Sequence, residues 1–169
     1  IDIGAVAAIT FTEKAAAELK ERVHRTVTAK LPGIVGLAEM YIGTMHGFCL
    51  DLLQTYIPET FKYGVLTDIT QQLLIDRETN KSGFNTAVKT VQGVESSLRR
   101  DTDTRVFKGA LSILQEDAVD FGLVPPETTA SLAKYKDFLA DKRYFDYTSM
   151  MVEAVGFLER SQTATILDT

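Results

Sequence analysis

Two stretches of the chain share one local design, in which a short apolar segment ends and a helical pattern opens directly behind a threonine. Residues 5–11 form an apolar run with β-branched and aromatic side chains towards its end, which predicts a buried central strand. Thr12 follows as a helix cap. Residues 40–43 form a second strand-like segment, and Thr44 takes the same capping position. This alternation predicts part of a parallel α/β sheet.

Each threonine precedes a stretch with helical periodicity. The first helix is predicted to begin near Glu13 and to end at Pro32-Gly33. Its apolar stripe is formed by residues at spacings of three and four: Ala16, Leu19, Val23 and Val27. The second helix is expected to stop at Pro58 and to present an apolar face made of Phe48, Leu52 and Tyr56.

From residue 58 to 143 strand signals nearly vanish, and we predict four helices. The first opens with a capping box of Asp68 and Gln71. The second is marked by Phe84, Val88 and Val91, the third by Val106, Ala110, Leu111 and Leu114, and the fourth, after Pro125-Pro126, by Leu132, Tyr135 and Leu139. A last helix is predicted over residues 147–160, with an apolar set of Met150, Met151, Ala154, Val155 and Leu158.

Composition narrows the class of protein. The chain has 169 residues, of which 45% are hydrophobic and 24% charged, which is typical of a globular domain. No apolar run reaches the ~20 residues of a membrane span. The single cysteine excludes an intramolecular disulfide, which favours a reducing, cytoplasmic compartment. A net charge of −5 argues against a surface that binds polyanions throughout, but leaves room for a local nucleic-acid site made of backbone donors.

Several chemistries are absent from the sequence. There is no G-x-x-x-x-G-K-[ST] phosphate loop and no G-x-G-x-x-G motif. His24 and His46 are too far apart for metal-ligand spacing, so no metal site is predicted. Cys49 lies three residues after His46, which is compatible with a thiolate pair, but its apolar neighbours favour a packed side chain. We therefore predict no catalytic residue in this chain.

The two strand-to-helix junctions offer a binding chemistry. A helix N-terminus presents unpaired N–H groups and the positive end of a dipole, so it can hold a phosphate. Phe11, at the carboxyl end of a strand, can stack on a base. The alternatives stay open here: Thr12 and Thr44 are only caps, Phe11 belongs to the core, or His46 is a structural histidine.

The same junctions resemble a known family. Residues 9–23 match motif Ia, and residues 44–49 match motif Ib, of UvrD/Rep-type superfamily-one DNA helicases. Two weaker matches follow in the expected order, at residues 63–68 and 145–151. Gly47 departs from the serine more common in motif Ib. Glu13 is also frequent in the helicase–nuclease branch of the AddA/RecB type.

The resemblance implies a mostly α fold with a small parallel β element: a partial RecA-like α/β core plus a helical insertion subdomain. Residues 1–57 would belong to the first core domain, residues 58–143 to the insertion, and residues 144–169 to the return into the core. Both ends of the chain look like interior points of a longer protein, so we expect a middle piece of the helicase.

The resemblance also implies function. The parent would be an ATP-dependent DNA helicase that translocates on single-stranded DNA in repair or recombination. ATP and Mg²⁺ would belong to the parent and not to this piece, which would not hydrolyse ATP alone. Expected partners are single-stranded DNA, a duplex junction and, in the helicase–nuclease branch, a partner subunit. The implied DNA contacts are Thr10, Phe11, Thr12, Lys14, Thr44 and His46. The alternative is a non-enzymatic helical interaction module.

Overall fold

The structure is a computed structural model that describes residues 6–116 and 119–167, with side chains described as far as residue 161. Two compact units follow each other along the chain, Ile1–Ile57 and Pro58–Thr169. Helices predominate in the described residues, and the strands form small two-stranded sheets. The prediction of a mostly α fold with a small parallel β element is therefore confirmed.

The first unit contains two strand–helix pairs. They are β1 (Ala7–Thr10), α1 (Glu13–Lys30), β2 (Tyr41–Thr44) and α2 (Met45–Tyr56). β1 and β2 pair in parallel, in a register that runs from Ala7 opposite Tyr41 to Thr10 opposite Thr44. The predicted parallel pair is confirmed. The prediction of a buried central strand is wrong, because Ile9 is 38% exposed and β1 has only β2 as a neighbour among the described residues.

Both helices of the first unit begin where the sequence predicts. Thr12 caps α1 and Thr44 caps α2, each by accepting a hydrogen bond from a backbone N–H three residues later. The predicted stripe of α1 is its least exposed face: Ala16 is buried, and Leu19, Val23 and Val27 are half-buried.

In α2 the buried face is one residue away from the prediction. Cys49 and Leu53 are buried, whereas Phe48 and Leu52 are only half-buried and Tyr56 is exposed. Cys49 is packed, as the sequence favoured, and burial raises the pKa of its thiol, so the reactive thiolate form is disfavoured.

The second unit is built on four helices: α3 (Asp68–Arg77), α4 (Thr104–Glu116), α5 (Pro126–Lys142) and α6 (Tyr147–Leu167). Its strands are β3 (Gly64–Val65), β4 (Val88–Val91), β5 (Val94–Ser97) and β6 (Tyr144–Phe145). β3 and β6 pair in parallel, and α4 packs against both α3 and α6. One apolar core is formed by α3, α4 and α5 together with residues that follow β3 or precede β4: Leu66, Ile75, Phe84, Ala87, Phe107, Leu111, Leu132, Tyr135, Phe138 and Leu139.

A β-hairpin replaces the second helix predicted for this unit. β4 and β5 pair in antiparallel fashion around a two-residue turn, Gln92-Gly93, in which both residues have positive φ. This turn geometry matches the twist of two antiparallel strands. The spacing of Val88 and Val91 fits a helix face equally well, but β-branched residues and a Gly at the turn favour strands.

Two further details correct the sequence-based predictions. The cap of α3 is Thr67, whose hydroxyl accepts from the N–H of Thr70, and not Asp68. Gln71, the expected partner in that capping box, instead donates to the Tyr135 hydroxyl at 2.7 Å and to Asp146 at 2.8 Å. These bonds tie α3 to α5 and to the start of α6.

The predicted faces of the remaining helices hold in part. In α5 the marked residues Leu132, Tyr135 and Leu139 are all buried. In α4 the stripe is displaced: Val106 is 67% exposed, while Phe107 is buried. The apolar set predicted for the last helix divides between buried Met150 and Ala154, half-buried Met151, and exposed Val155 and Leu158. None of the helices described by the structure is long and apolar enough to cross a membrane.

Candidate nucleic-acid interface

The starts of α1 and α2 lie at the same edge of one small sheet. Thr10 and Thr44, the last residues of β1 and β2, are partners in the parallel register. Neighbouring strands are about 4.8 Å apart, so the two segments that follow β1 and β2 leave the sheet side by side. Ligands of open α/β sheets bind at this carboxyl edge of the strands.

Phe11 occupies the bend between β1 and α1, and its side chain is 91% exposed. The alternative that Phe11 belongs to the core is therefore wrong. An exposed apolar side chain alone is common on protein surfaces. Phe11, however, comes directly before the start of α1, and the start of α2 lies at the same sheet edge.

Thr12 is the exposed cap of α1. Its hydroxyl oxygen accepts from the Ala15 N–H at 3.2 Å, and in the described part of the chain the hydroxyl proton has no acceptor. The N–H groups of Glu13 and Lys14 likewise find no acceptor among the described residues, as expected in a first helical turn. This junction therefore offers three donors to an incoming anion.

Thr44 is the buried cap of α2, and its hydroxyl makes two bonds. The oxygen accepts from the Gly47 N–H at 3.1 Å, and the hydroxyl donates to Oε1 of Glu13 at 3.1 Å. The bond to Glu13 connects the second helix start to the first. Thr44 is thus a cap, as one of the alternatives held, and in addition part of a link between the two junctions.

The other predicted residues surround these caps. The Thr10 hydroxyl donates to the backbone carbonyl of Thr12 at 3.1 Å, which shapes the bend that carries Phe11. Lys14 is exposed in the first turn of α1. His46 is half-buried at the second position of α2. All six predicted residues therefore belong to the two neighbouring junctions.

Tyr41 is a component that the motif analysis missed. Its hydroxyl donates to the backbone carbonyl of Thr44 at 3.1 Å, and its ring packs edge-on against Phe48 with centroids 5.2 Å apart. A Cβ at Gly43 would collide with this side chain, and a Cβ at Gly47 would lie 2.9 Å from the Tyr41 hydroxyl. The phenol thus fills the space beside Gly47, where the motif more commonly has serine.

Burial is the largest cause that raises the pKa of Tyr41, followed by the negative charges of Asp51 and Glu13. The phenol therefore stays protonated at neutral pH and remains a hydrogen-bond donor. The only signal in the sequence that points to this role is the pair of glycines two and six residues after Tyr41, which leave room for a large ring.

Comparison with known proteins identifies the class. The chain matches the family model "UvrD/REP helicase N-terminal domain" over residues 1–166, and it belongs to that family. The predicted resemblance is confirmed.

Individual relatives agree with this class. The chain is 27% identical over 165 residues to the ATP-dependent DNA helicase PcrA of Staphylococcus aureus, which covers 92% of this chain and 20% of that protein. It is 21% identical over 171 residues to a probable DNA helicase of Mycoplasma pneumoniae, covering 91% of the chain and 28% of the relative. The chain is also 35% identical over 66 residues to an ATP-dependent helicase/nuclease protein of Heliobacterium modesticaldum, and this match covers 33% of the chain and 5% of the relative.

The chain thus spans about a fifth of the length of the PcrA relatives. Helicases of this class use ATP and Mg²⁺. The sequence has no phosphate loop, and in the described part of the chain no three His, Cys, Asp or Glu side chains are grouped as metal ligands would be.

Proposed function

We propose that this chain is the single-strand-binding part of an ATP-dependent DNA helicase that translocates on single-stranded DNA. In this proposal residues 1–57 belong to the RecA-like first core domain, residues 58–143 to an insertion that faces the duplex junction, and residues 144–169 to the return segment. Membership in the UvrD/REP family and the names of the relatives support it.

One observation carries the proposal: an exposed phenylalanine immediately precedes the first of two helix starts that lie at the same edge of one sheet. The amide groups of the first turn of α1, together with the free hydroxyl proton of Thr12, bind phosphate oxygens. Phe11 stacks on the neighbouring base, and Lys14 adds a positive charge. Thr44 and His46 line the second junction.

Backbone donors explain how an acidic chain binds a polyanion. Backbone N–H groups bind an anion without contributing to the net charge of the chain. A net charge of −5 is therefore compatible with a local phosphate site built from them. Stacking on a ring is independent of base identity, because every base has an aromatic face. Binding without sequence preference is what a translocating enzyme requires, and both features of the site provide it.

The physiological role is a finer part of the proposal. We place the enzyme in DNA repair or recombination. A 66-residue match to a helicase/nuclease protein supports a second form of this proposal. In that form the enzyme assembles with a partner subunit that contains a nuclease.

The test is binding of a labelled single-stranded oligonucleotide to the full-length protein that carries this chain. Phe11→Ala removes the exposed ring, and we expect the affinity to fall roughly tenfold, since base–aromatic stacking contributes roughly 1–3 kcal/mol per base. Unwinding of a duplex with a single-stranded tail is expected to fall in parallel.

Phe61→Ala is the matched control, because Phe61 is 71% exposed and lies in the second unit. It is expected to leave the affinity for the single-stranded oligonucleotide unchanged. Equal affinities for wild type and Phe11→Ala would remove Phe11 from the site and favour the alternative of a non-enzymatic interaction module.

A further inference from the structure

The bond between Glu13 and Thr44 places a carboxylate where the proposed site needs a donor. Thr44 has one hydroxyl proton, and that proton is donated to Oε1 of Glu13 at 3.1 Å. The same hydroxyl oxygen already accepts from the Gly47 N–H. A phosphate at the second junction therefore gains the Thr44 hydroxyl only if Glu13 releases it.

Glu13 is also close to the rest of this junction. It is the first residue of α1, where a carboxylate is favoured by the positive end of the helix dipole. Its negative charge contributes to the raised pKa of Tyr41, whose hydroxyl lies against Thr44 and Gly47. Two observations thus place the charge of Glu13 at the start of the second helix, although Glu13 belongs to the first.

We propose that Glu13 is an internal competitor of the DNA phosphate: its carboxylate holds the hydroxyl of Thr44 and is displaced each time a phosphate binds between the two helix starts. This inference rests on the single-strand-binding function proposed above. Its consequence is a site that binds phosphate more weakly than its donors alone would, and that releases it faster.

Weak, quickly reversible contact suits a site that a strand must leave at every step. Both states of the Thr44 hydroxyl have an anionic acceptor, either Glu13 or a phosphate, so the exchange leaves no buried donor unpaired. The carboxylate of Glu13 does not contact the nucleic acid in this proposal. It sets the lifetime of the contact made by Thr44.

The experiment compares Glu13→Gln with Glu18→Gln in the full-length protein. Both variants remove one negative charge from α1, and Glu18 is an exposed residue of the same helix. The glutamine amide keeps a hydrogen-bonding group of the same length beside Thr44. The readouts are the affinity for a labelled single-stranded oligonucleotide and its dissociation rate.

We expect Glu13→Gln to bind about fivefold more tightly than Glu18→Gln, chiefly through slower dissociation, because a unit charge at about 4 Å contributes about that factor in water. Equal or weaker binding by Glu13→Gln overturns the inference, since Glu13 would then act only as a link between the helices. Phe11→Ala in the same assay separates the two proposals: if it has no effect, the binding function itself fails.

Discussion

The two units of this chain use their side chains in opposite ways. In the second unit, apolar side chains of α3, α4 and α5 and of the segments beside them form one buried core. Tyr135 inside this core shares hydrogen bonds with Gln71 and Asp146. In the first unit, the described residues bury Ala16, Cys49 and Leu53, while Phe11 is left exposed. The contrast shows that a buried core and the exposed edge of a small sheet place different demands on the same residue types.

Removal of a core ring is expected to have the largest effect. Phe84 is 1% exposed and contacts Phe107 edge-on, with centroids 5.3 Å apart. Phe84→Ala should lower the free energy of unfolding of the second unit by about 3–5 kcal/mol. Hydrogen exchange of the amides of α4 and α5 measures this loss.

The control for that experiment is Phe61→Ala, which changes the same residue type at an exposed position. It should alter the free energy of unfolding by about 0.5 kcal/mol or less. If Phe84→Ala and Phe61→Ala lowered the free energy of unfolding by similar amounts, burial would not explain the difference between core and exposed positions, and the comparison would fail.

A pair of glycines sharpens the comparison within the second unit. Gly83 and Gly93 both have φ +78, but a Cβ at Gly83 would meet the carbonyl oxygen of Ser131, whereas a Cβ at Gly93 meets nothing within 4 Å. Gly93→Ala should cost about 1–2 kcal/mol from the left-handed backbone alone. Gly83→Ala should add about 1–3 kcal/mol for overpacking against α5.

Urea denaturation of the two glycine variants measures the difference in the free energy of unfolding. A larger loss at Gly93 than at Gly83 would contradict the prediction, since φ is the same at both sites and only Gly83 faces a close contact. In the wild type the Ser131 hydroxyl donates to the Gly83 carbonyl at 2.8 Å. Loss of this hydrogen bond in Gly83→Ala would show that α5 has moved away from position 83.

The smallest predicted effect is a dependence on pH. The hydrogen bond from Lys89 is the largest cause that holds the pKa of Asp103 below its ordinary 3.8, and the backbone N–H of Arg99 adds to it. A lowered carboxyl pKa stabilises the fold above pH 3.8, and this stability is lost as the pH falls through the lowered value. Asp103→Asn should therefore flatten the fall in the unfolding midpoint between about pH 5 and 2.

Asp137→Asn is the control for that measurement, because Asp137 is an exposed carboxylate on α5. Its midpoint should follow the wild-type curve. If Asp103→Asn also followed that curve, the contact between the hairpin and α4 would contribute nothing to the acid sensitivity of the second unit.

Local rules predicted the parts of the molecule whose cause is local. The caps at Thr12 and Thr44 and the stripe of α1 follow from residue type and spacing, and the structure has all three. The hairpin at residues 88–97 was missed because valines three apart fit a helix face as well as a strand, and only the turn at Gln92-Gly93 distinguishes them.

Long-range contacts explain what sequence patterns could not give. The bond from Thr44 to Glu13 joins residues 31 positions apart, and the bonds of Gln71 join α3 to residues 64 and 75 positions away. No periodicity predicts such partners. The exposure of Phe11 was one of two open alternatives in the sequence, and the fold decides between them.

The position of the Tyr41 ring makes three residues interdependent. Because the phenol occupies the room that side chains at positions 43 and 47 would need, a hydroxyl cannot be introduced at Gly47 while the ring stays where it is. Tyr41, Gly43 and Gly47 therefore behave as a single exchangeable set. An engineer who wishes to graft a serine-containing version of this junction has to transplant all three together.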